Sequence, residues 1–350
     1  MSLGAAILPG GFPDPSMPIP DAVQITEAVH EPTTYALSYQ FASESEDYPI
    51  LSDSHLQPEK EIGVMVMVDM VPKFLVSGPV TRHEITISNG GTGATLVVSG
   101  GDASIAMDRE DKAKIWNNVT DSLAVASVLA DYQLVPDVSL TSTLHSEFTR
   151  SLVQRETDLR FVRRLARRNG FWFWITSEAP GVNIGHFKRF SPGQPEAELT
   201  INAKVSNVDT VVIEFDSERP SSAALKQIKV SDKSVMAATV QRSPLTGLAS
   251  KGLADIVSKT RSAHIAVATD DAGDLTARAE AMLIDHGWFV TARVVARLSV
   301  LKKVVRAHTT VSLNGLGTRH SGKYVVSRVT HDITPADHVM TIDLARNGWN

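Results

Sequence analysis

The heptapeptide Gly317-Thr318-Arg319-His320-Ser321-Gly322-Lys323 fills the first seven places of a phosphate-binding loop. The eighth place of such a loop needs a Ser or Thr to hold magnesium, and here it is Tyr324. A phosphate loop must also open a helix, whose N-terminal amides face the anion. The chain instead continues as Tyr324-Val325-Val326-Ser327-Arg328-Val329, which has strand composition. The segment therefore reads as a glycine-rich turn between two strands. His308, His320, His331 and His338 are spaced by 12, 11 and 7 residues. None of these spacings sets two imidazoles on one helical face, as a helix-borne zinc pair requires, so they read as surface or strand histidines. Acidic clusters at Glu44/Glu46/Asp47, Asp108/Glu110/Asp111 and Asp270/Asp271/Asp274 adjoin Ser, Gly, Ala or Lys. They read as solvated turns and helix caps rather than as a paired-carboxylate site. The sequence has no Gly-x-Ser-x-Gly elbow, no His-Glu-x-x-His and no cysteine. No catalytic, cofactor-binding or metal-binding residue is assigned.

The densest chemistry is basic. Arg150, Arg155, Arg160, Arg163, Arg164, Arg167 and Arg168 fall within 19 residues. On a helix from about Glu156 to Arg168, Leu159, Val162, Phe161, Leu165 and Ala166 form an apolar stripe and the arginines take the other faces. Guanidinium forks pair with carboxylates bidentately, so Arg155, Arg160, Arg163, Arg164, Arg167 and Arg168 suit docking of an acidic partner. They equally suit a solvated face paired locally with Glu156 and Asp158. Nucleic acid is disfavoured, because the chain as a whole carries a net charge of −5.

The elements that must position these residues are mostly strands. Hydrophobic residues at 43% and charged residues at 21% of 350 are ordinary globular usage, which excludes wholesale disorder and allows two or three domains. Residues 1–32 hold six prolines and read as an extended arm, free or laid on a neighbour. Residues 1–30 lack Lys and Arg, so they do not read as a secretory signal, and no apolar run is long enough to span a membrane. Tyr35, Leu37, Tyr39 and Phe41 alternate with smaller or polar residues, the mark of a half-buried strand. Further strands are expected at Gly63–Met70, Lys73–Val76, Glu84–Ser88 and Thr95–Ser99, with a turn at Asn89-Gly90-Gly91. Helices are expected at Ser122–Tyr132 with Asp121 as N-cap, and from Asp274, as cap, to Ile284. Strands are expected at Phe171–Ile175, Val182–Phe187, Thr200–Asn202, Val211–Phe215, Gln227–Val230, Val235–Val240, Val290–Val300, Ala307–Leu313, Lys323–Ile333 and Val339–Leu344, while 243–272 has no clear reading.

The run from Gln154-Arg155-Glu156-Thr157-Asp158 through Phe161 and Leu165, then Asn169-Gly170-Phe171-Trp172-Phe173-Trp174-Ile175, resembles the phage late control D family. It is also similar to the hub part of the valine-glycine repeat spike proteins of type VI secretion. The chain departs mildly from the family's usual residues at Thr157 and Val162. Gly322, Tyr324 and His331 resemble the family's closing hairpin. Weaker likenesses lie at Gly101-Asp102, Trp116-Asn117-Asn118 and Thr120-Asp121. The signature residues are Gln154, Glu156, Asp158, Phe161, Leu165, Gly170, Gly322, Tyr324 and His331.

The resemblance implies a β-rich α+β fold of tail-hub type, with two β-barrel-like modules around a mixed α/β segment. The expected division is an arm at 1–32, a first module at 33–101, a mixed segment at 102–203 and a second module at 204–350. It implies a structural, non-enzymatic baseplate hub subunit of a contractile injection machine. Three copies would form a homotrimer joining a hexameric inner tube to a trimeric spike, beside other baseplate proteins, without nucleic acid or membrane insertion. Since the sequence stops at Asn350, the spike is expected to be a separate polypeptide. The protein is expected to be made and assembled in the cytoplasm, as part of a phage-tail-like particle. The competing readings are a tail-associated cell-wall hydrolase and a surface-binding β module.

Overall fold

The N-terminal strands are β1 (Ala5–Pro9), β2 (Ala22–Ala28), β3 (Thr34–Phe41), β4 (Glu61–Val68), β5 (Val71–Thr86) and β6 (Ala94–Gly101). The structure is a computed structural model that describes residues 3–41, 48–88, 93–148, 151–202, 204–229, 232–259, 261–264 and 271–350. The cluster Glu44/Glu46/Asp47, the turn Asn89-Gly90-Gly91, Arg150 and Asp270 lie outside the described residues. In β3 the alternation works as its spacing requires, with Tyr35, Leu37 and Tyr39 all buried. Two short strands expected before residue 89 are one long β5. Its first part pairs with β4 and its last part with β6, with register shifts at Val64/Met65 and Val80/Arg82. Such bulges let one strand bend and serve two neighbours.

The proline-rich segment is not merely an arm. Ala5–Pro9 pairs with β4 and Ala22–Ala28 pairs with β3. Prolines forbid sheet only where a ladder amide is required. Here β1 is an edge strand with Pro9 at its last position, β2 has no proline, and Pro13, Pro15, Pro18 and Pro20 fall between them.

The middle of the chain forms β7 (Asp111–Trp116), β8 (Val119–Thr120), α1 (Asp121–Asp131), β9 (Val135–Val138), β10 (Leu144–His145), β11 (Leu152–Thr157), α2 (Asp158–Asn169), β12 (Trp172–Ala179) and β13 (Val182–Lys188). Three small sheets, β7–β11, β8–β10 and β12–β13–β9, surround one core. Val125, Leu129, Phe161, Leu165, Phe173 and Phe187 meet there.

The C-terminal elements are β14 (Glu198–Thr200), β15 (Thr210–Phe215), β16 (Ser222–Ile228), β17 (Val235–Val240), β18 (Ser262–Ala263), α3 (Ala272–His286), β19 (Val290–Arg297), α4 (Leu298–Leu301), β20 (Thr310–Asn314), α5 (Gly317–His320), β21 (Gly322–Ile333) and β22 (His338–Arg346). The phosphate-loop-like heptapeptide is the connection between antiparallel β20 and β21, with α5 as a single turn inside it. The strand expected to reach Val300 stops at Arg297, where α4 begins and Lys302 then takes a left-handed conformation (φ 57°).

Strands from the two ends of the chain share one sheet. Its order is β1-β4-β5-β6-β3-β2-β21-β22-β19-β15, with β20 added on β21 and β14 on β20. The junction is β2 against β21, from Val23 opposite Ile333 to Ala28 opposite Arg328. The fold is thus β-rich with several sheets, and its principal sheet runs open from β1 to β15. Within the expected second module, β16, β17, β18 and α3 form a separate layer around Ala223, Leu225, Leu275, Ala279 and Leu283. Among the described residues no helix is long and apolar enough to cross a membrane.

Buried polar groups mark the β2–β21 junction. Arg306 donates to Glu27 on β2 (2.6 Å) and to the carbonyls of Phe74 (2.6 Å) and Leu75 (3.0 Å) on β5. The Ala307 amide also donates to Glu27 (3.2 Å). Beside them His331 Nδ1 and His338 Nε2 share a hydrogen bond of 3.0 Å. Burial disfavours both charged rings. It takes His338 down to about 4 and His331 well below its ordinary value, with each ring's neighbours adding smaller effects. A histidine whose folded pKa lies below its unfolded 6.5 binds fewer protons folded than unfolded in that window, so its contribution to stability is complete above 6.5 and falls as the pH drops toward 4. We therefore expect His338→Gln to gain stability relative to the parent chain as the pH falls from 7 to 4, by on the order of 3 kcal/mol in total. Buried acids that titrate in the same range cancel in this comparison. Chemical denaturation at a series of pH values measures it, and a pH-independent difference would contradict the buried neutral pair.

Candidate docking surface

The arginine-rich segment begins as a strand. β11 alternates buried Leu152 and Gln154 with exposed Val153 and Arg155, and it pairs with β7 from Leu152 opposite Trp116 to Thr157 opposite Asp111. Gln154 and Glu156 therefore precede the helix that was expected to start at Glu156. The period-two pattern and the partner strand outweigh local helix propensity there. Thr157 is the N-cap. Its hydroxyl accepts from the Arg160 amide (3.3 Å) and donates to Asp108.

Gln154 and Asp158 organise the helix start. The Gln154 amide donates to Asp158 (2.7 Å) and its oxygen accepts from the Trp116 indole (3.1 Å). Asp158 also accepts from Lys112 (2.5 Å) and the Tyr132 hydroxyl (2.8 Å). Burial pushes the Asp158 carboxyl up, but the hydrogen bonds from Lys112, Gln154 and Tyr132 together outweigh it and hold the group below its usual range. Phe161 and Leu165 are fully buried, and Trp116 stacks on Phe161 at 5.7 Å. Gly170 ends α2 in the left-handed conformation (φ 63°), and an added Cβ would meet Ile284 at 2.6 Å. Phe171, Trp172, Phe173 and Ile175 then run into the core, with Trp174 half-buried.

The six arginines divide. Arg168 points inward, with its side chain only 11% exposed, and bonds Asp274 (2.9 Å) while lying 3.4 Å from Asp121. Asp121 also binds His145 (2.8 Å) and accepts from Asn169 (2.8 Å), and Arg278 reaches Asp274 at 3.1 Å. Arg168 in the last turn of α2 thus meets acids in the first turns of α1 and α3, a match of charges and helix dipoles. Within this chain Arg168 acts as a brace between the three helices. Asp121 and Asp274, read from sequence as caps and in the latter case as solvated, are both buried. Thr120 and Asp271 cap those helices instead, which frees the two carboxylates for Arg168.

Arg164 is held by Glu156 (2.6 Å) and by the Val153 carbonyl (2.8 Å). Arg160 lies 3.6 Å from Asp108 with both side chains well exposed, which contributes little. Arg155 and Arg167 are exposed, and Arg163 is half-buried with its Nε lacking a hydrogen-bond partner. Opposed strand residues point to the same side, so Arg155 and Ala113 share the outward face with Val153 and Ile115. Ile115 is 65% exposed there. Arg155, Val153 and Ile115 are thus exposed on this strand face, and Arg160, Arg164 and Arg167 on the solvent side of α2.

The other signature residues lie at the closing hairpin. Gly322 opens β21, and the buried Tyr324 hydroxyl donates to the His320 carbonyl (2.8 Å). Arg346, 1% exposed, donates to the Arg319 carbonyl at 3.2 Å. Nothing local in the sequence marks Arg346 as buried, nor His145 as the partner of Asp121. Only the fold brings those pairs together. His308 stacks on Trp174 at 4.4 Å. Among the described residues no three His, Asp or Glu side chains gather where they can hold a metal ion.

A family model described as the Alg8 N-terminal domain matches residues 22–335. Among curated proteins there is no match. The fold is similar to a 43 kDa tail protein of prophage MuSo2 from Shewanella oneidensis, at a TM-score of 0.68 and 14% identity, with 100% of each chain covered. It is similar to a tail protein from Neisseria meningitidis MC58, at 0.70 and 12%, covering 99% of this chain and 98% of that one. It is also similar to an E. coli protein described as a component of the type VI secretion system with structural similarity to T4 bacteriophage tail proteins. There the TM-score is 0.57 at 13% identity, covering 98% and 77%.

The division of the arginines predicts unequal costs. Arg168→Ala removes the guanidinium that two buried carboxylates share, leaving Asp274 to Arg278 and Asp121 to His145 and Asn169, and should cost about 3 kcal/mol. Arg160→Ala removes only an exposed contact and should cost less than about 1 kcal/mol. Urea denaturation of both variants measures this, and equal costs would contradict the brace.

Proposed function

This chain belongs to the Alg8 N-terminal domain family, and we propose that it works as a structural hub subunit at the baseplate of a contractile injection machine. The observation that carries this reading is the fold, which coincides over the full chain with prophage tail proteins. The motif from Gln154 to Ile175 supports it. Its polar side chains are spent on capping and bracing, which is what an assembly subunit needs from them.

In this reading the strands on either side of the β2–β21 junction are two β-barrel-like modules. The first comprises 33–101 and takes in β1 and β2. The second lies within 204–350, with 102–203 as the mixed segment between them. Three copies form a ring. Two similar modules per copy present a near-sixfold face to the inner tube, and the opposite threefold face meets a spike. Gln154, Glu156, Asp158, Phe161, Leu165, Gly170, Gly322, Tyr324 and His331 act structurally. Arg155, Arg160, Arg163, Arg164 and Arg167 meet carboxylates of a neighbouring subunit or baseplate protein around the apolar centre of Ile115 and Val153. Such a surface has the make-up of an interface, apolar at the middle and charged at the rim.

The test is assembly. The triple variant Arg155→Glu/Arg160→Glu/Arg167→Glu changes exposed side chains, so its own stability should move by no more than about 1 kcal/mol. Its yield of sedimenting particles from cells should fall at least tenfold. Undiminished assembly by the stably folded variant would remove this surface from the interface. Lysis of peptidoglycan in a zymogram of the purified chain would favour the hydrolase reading instead.

A further inference from the structure

The sheet β12–β13–β9 carries a hydroxyl, an imidazole and a carboxylate in one hydrogen-bonded line. Trp174, His186 and Asp137 stand opposite one another across its three strands, and Thr176 lies two residues past Trp174 on the same face. His186 Nδ1 is 2.6 Å from Asp137 Oδ2, and His186 Nε2 is 2.8 Å from the Thr176 hydroxyl oxygen. Lys188 also donates to Asp137. Trp174 stacks on His186 at 4.6 Å and 17°, which fixes the plane of the ring. Asp137 and His186 both reach solvent, with side chains 43% and 13% exposed, and Thr176 is half-buried. None of these residues belongs to the proposed docking surface, and nothing about them depends on the hub reading.

The protons have one consistent arrangement. Burial raises the Asp137 carboxyl, but Lys188 and His186 outweigh it and hold the group below its usual range, so it is ionised and can only accept. Burial lowers the His186 imidazole, and Lys188 adds to that, against Asp137 and Glu178. His308, stacked on Trp174 as well, is lowered to about 3, chiefly by burial, and adds no charge. His186 is therefore neutral at pH 7, with its one hydrogen on Nδ1, facing Asp137. Nε2 then holds a lone pair, and the Thr176 hydroxyl must be the donor in the second bond. A hydroxyl whose proton already rests on a neutral, oriented base is the arrangement of an activated nucleophile.

The geometry points to Thr176 as a nucleophile that accepts an acyl group, with His186 as its general base and Asp137 as the positioning residue. The Thr176 oxygen bonds the acyl carbon of an ester or thioester while its proton passes to His186 Nε2. That proton then goes to the leaving oxygen or sulfur as its bond to the acyl carbon breaks. Water repeats the two steps on the acylated threonine, which releases the acid and restores the hydroxyl. Solvent reaches the cluster, so the developing oxyanion is stabilised by water, and the chemistry suits acyl groups on good leaving groups, aryl esters and thioesters, rather than amides. An imidazolium formed on the way is held between the Asp137 carboxylate and the Trp174 face.

The test uses the purified full chain with p-nitrophenyl acetate. Peptide mapping should place an acetyl group on Thr176, and hydroxylamine should remove it, as it removes esters and not the amide of an acetylated lysine. Thr176→Val and His186→Gln should each slow this acylation by about tenfold or more, and Thr176→Ser should retain it. The parent rate should stay level as the pH falls from 8 to the ordinary histidine value of about 6.5 and drop only below it. Asp137→Asn should slow acylation and move that drop to lower pH, because the carboxylate's raising effect on His186 is lost. Circular dichroism shows which variants are folded. Acetyl groups confined to lysines, an unchanged rate in a folded Thr176→Val or Thr176→Ala variant, or a rate that rises in proportion to hydroxide from pH 6 to 8 would each overturn the assignment.

Discussion

Glu27 is removed from water on β2, and Arg306 is what makes that tolerable. The rest of the guanidinium is committed to the carbonyls of Phe74 and Leu75 on β5, so one side chain holds segments more than 200 residues apart in sequence. Burial pushes the Glu27 carboxyl up, and the Arg306 charge opposes that push. A buried pair of this kind adds little net stability against an apolar equivalent, but loss of either partner is severe. Its value is in specificity. Any register that moves Glu27 away from Arg306 strands a carboxylate in the core, so the pair fixes how β2 lies on β21. That junction is where the N-terminal and C-terminal strands become one sheet.

A second layer of the same logic sits in the middle of the chain. Asp158 and Arg168 occupy opposite ends of α2. Asp158 gathers Lys112, Tyr132 and Gln154 at the start, and Arg168 gathers the first turns of α1 and α3 at the end. The helix is thereby fixed at both termini while Phe161 and Leu165 fill the core beneath it. What remains exposed is a set of arginines on α2 and β11 and two apolar strand residues. The backbone beneath is already ordered, so a partner that covers this region pays chiefly for fixing the arginine side chains, about 0.5–1.5 kcal/mol each.

Local physics in the sequence was enough for much of this. The alternation of Tyr35, Leu37 and Tyr39, the strand chemistry after Lys323 and the left-handed exit at Gly170 all arise from near neighbours, and all are present. Helix starts were misplaced by one to three residues, because Thr120, Thr157 and Asp271 compete successfully for the capping amides. That displacement hid the main site of polar organisation. Once Asp121 and Asp274 are not caps, they are available to Arg168, and no local rule reveals it. The union of both ends in one sheet was equally hidden, since β2 and β21 lie about 300 residues apart in the chain, and period-two patterns do not name their partners. Arg346 belongs to the same class, being defined only by what the fold sets beside it.

We propose, above all, that this β-rich chain is a joint between a tube and a spike. The measurement that bears on it most directly is a cryo-electron microscopy reconstruction of assembled particles, calculated without imposed symmetry at the tube's end. Three copies of this fold are expected on the particle axis, with the strands either side of the β2–β21 junction alternating six times around the face toward the tube. Density for the chain only at the periphery of the particle, or in a number of copies not divisible by three, would contradict it.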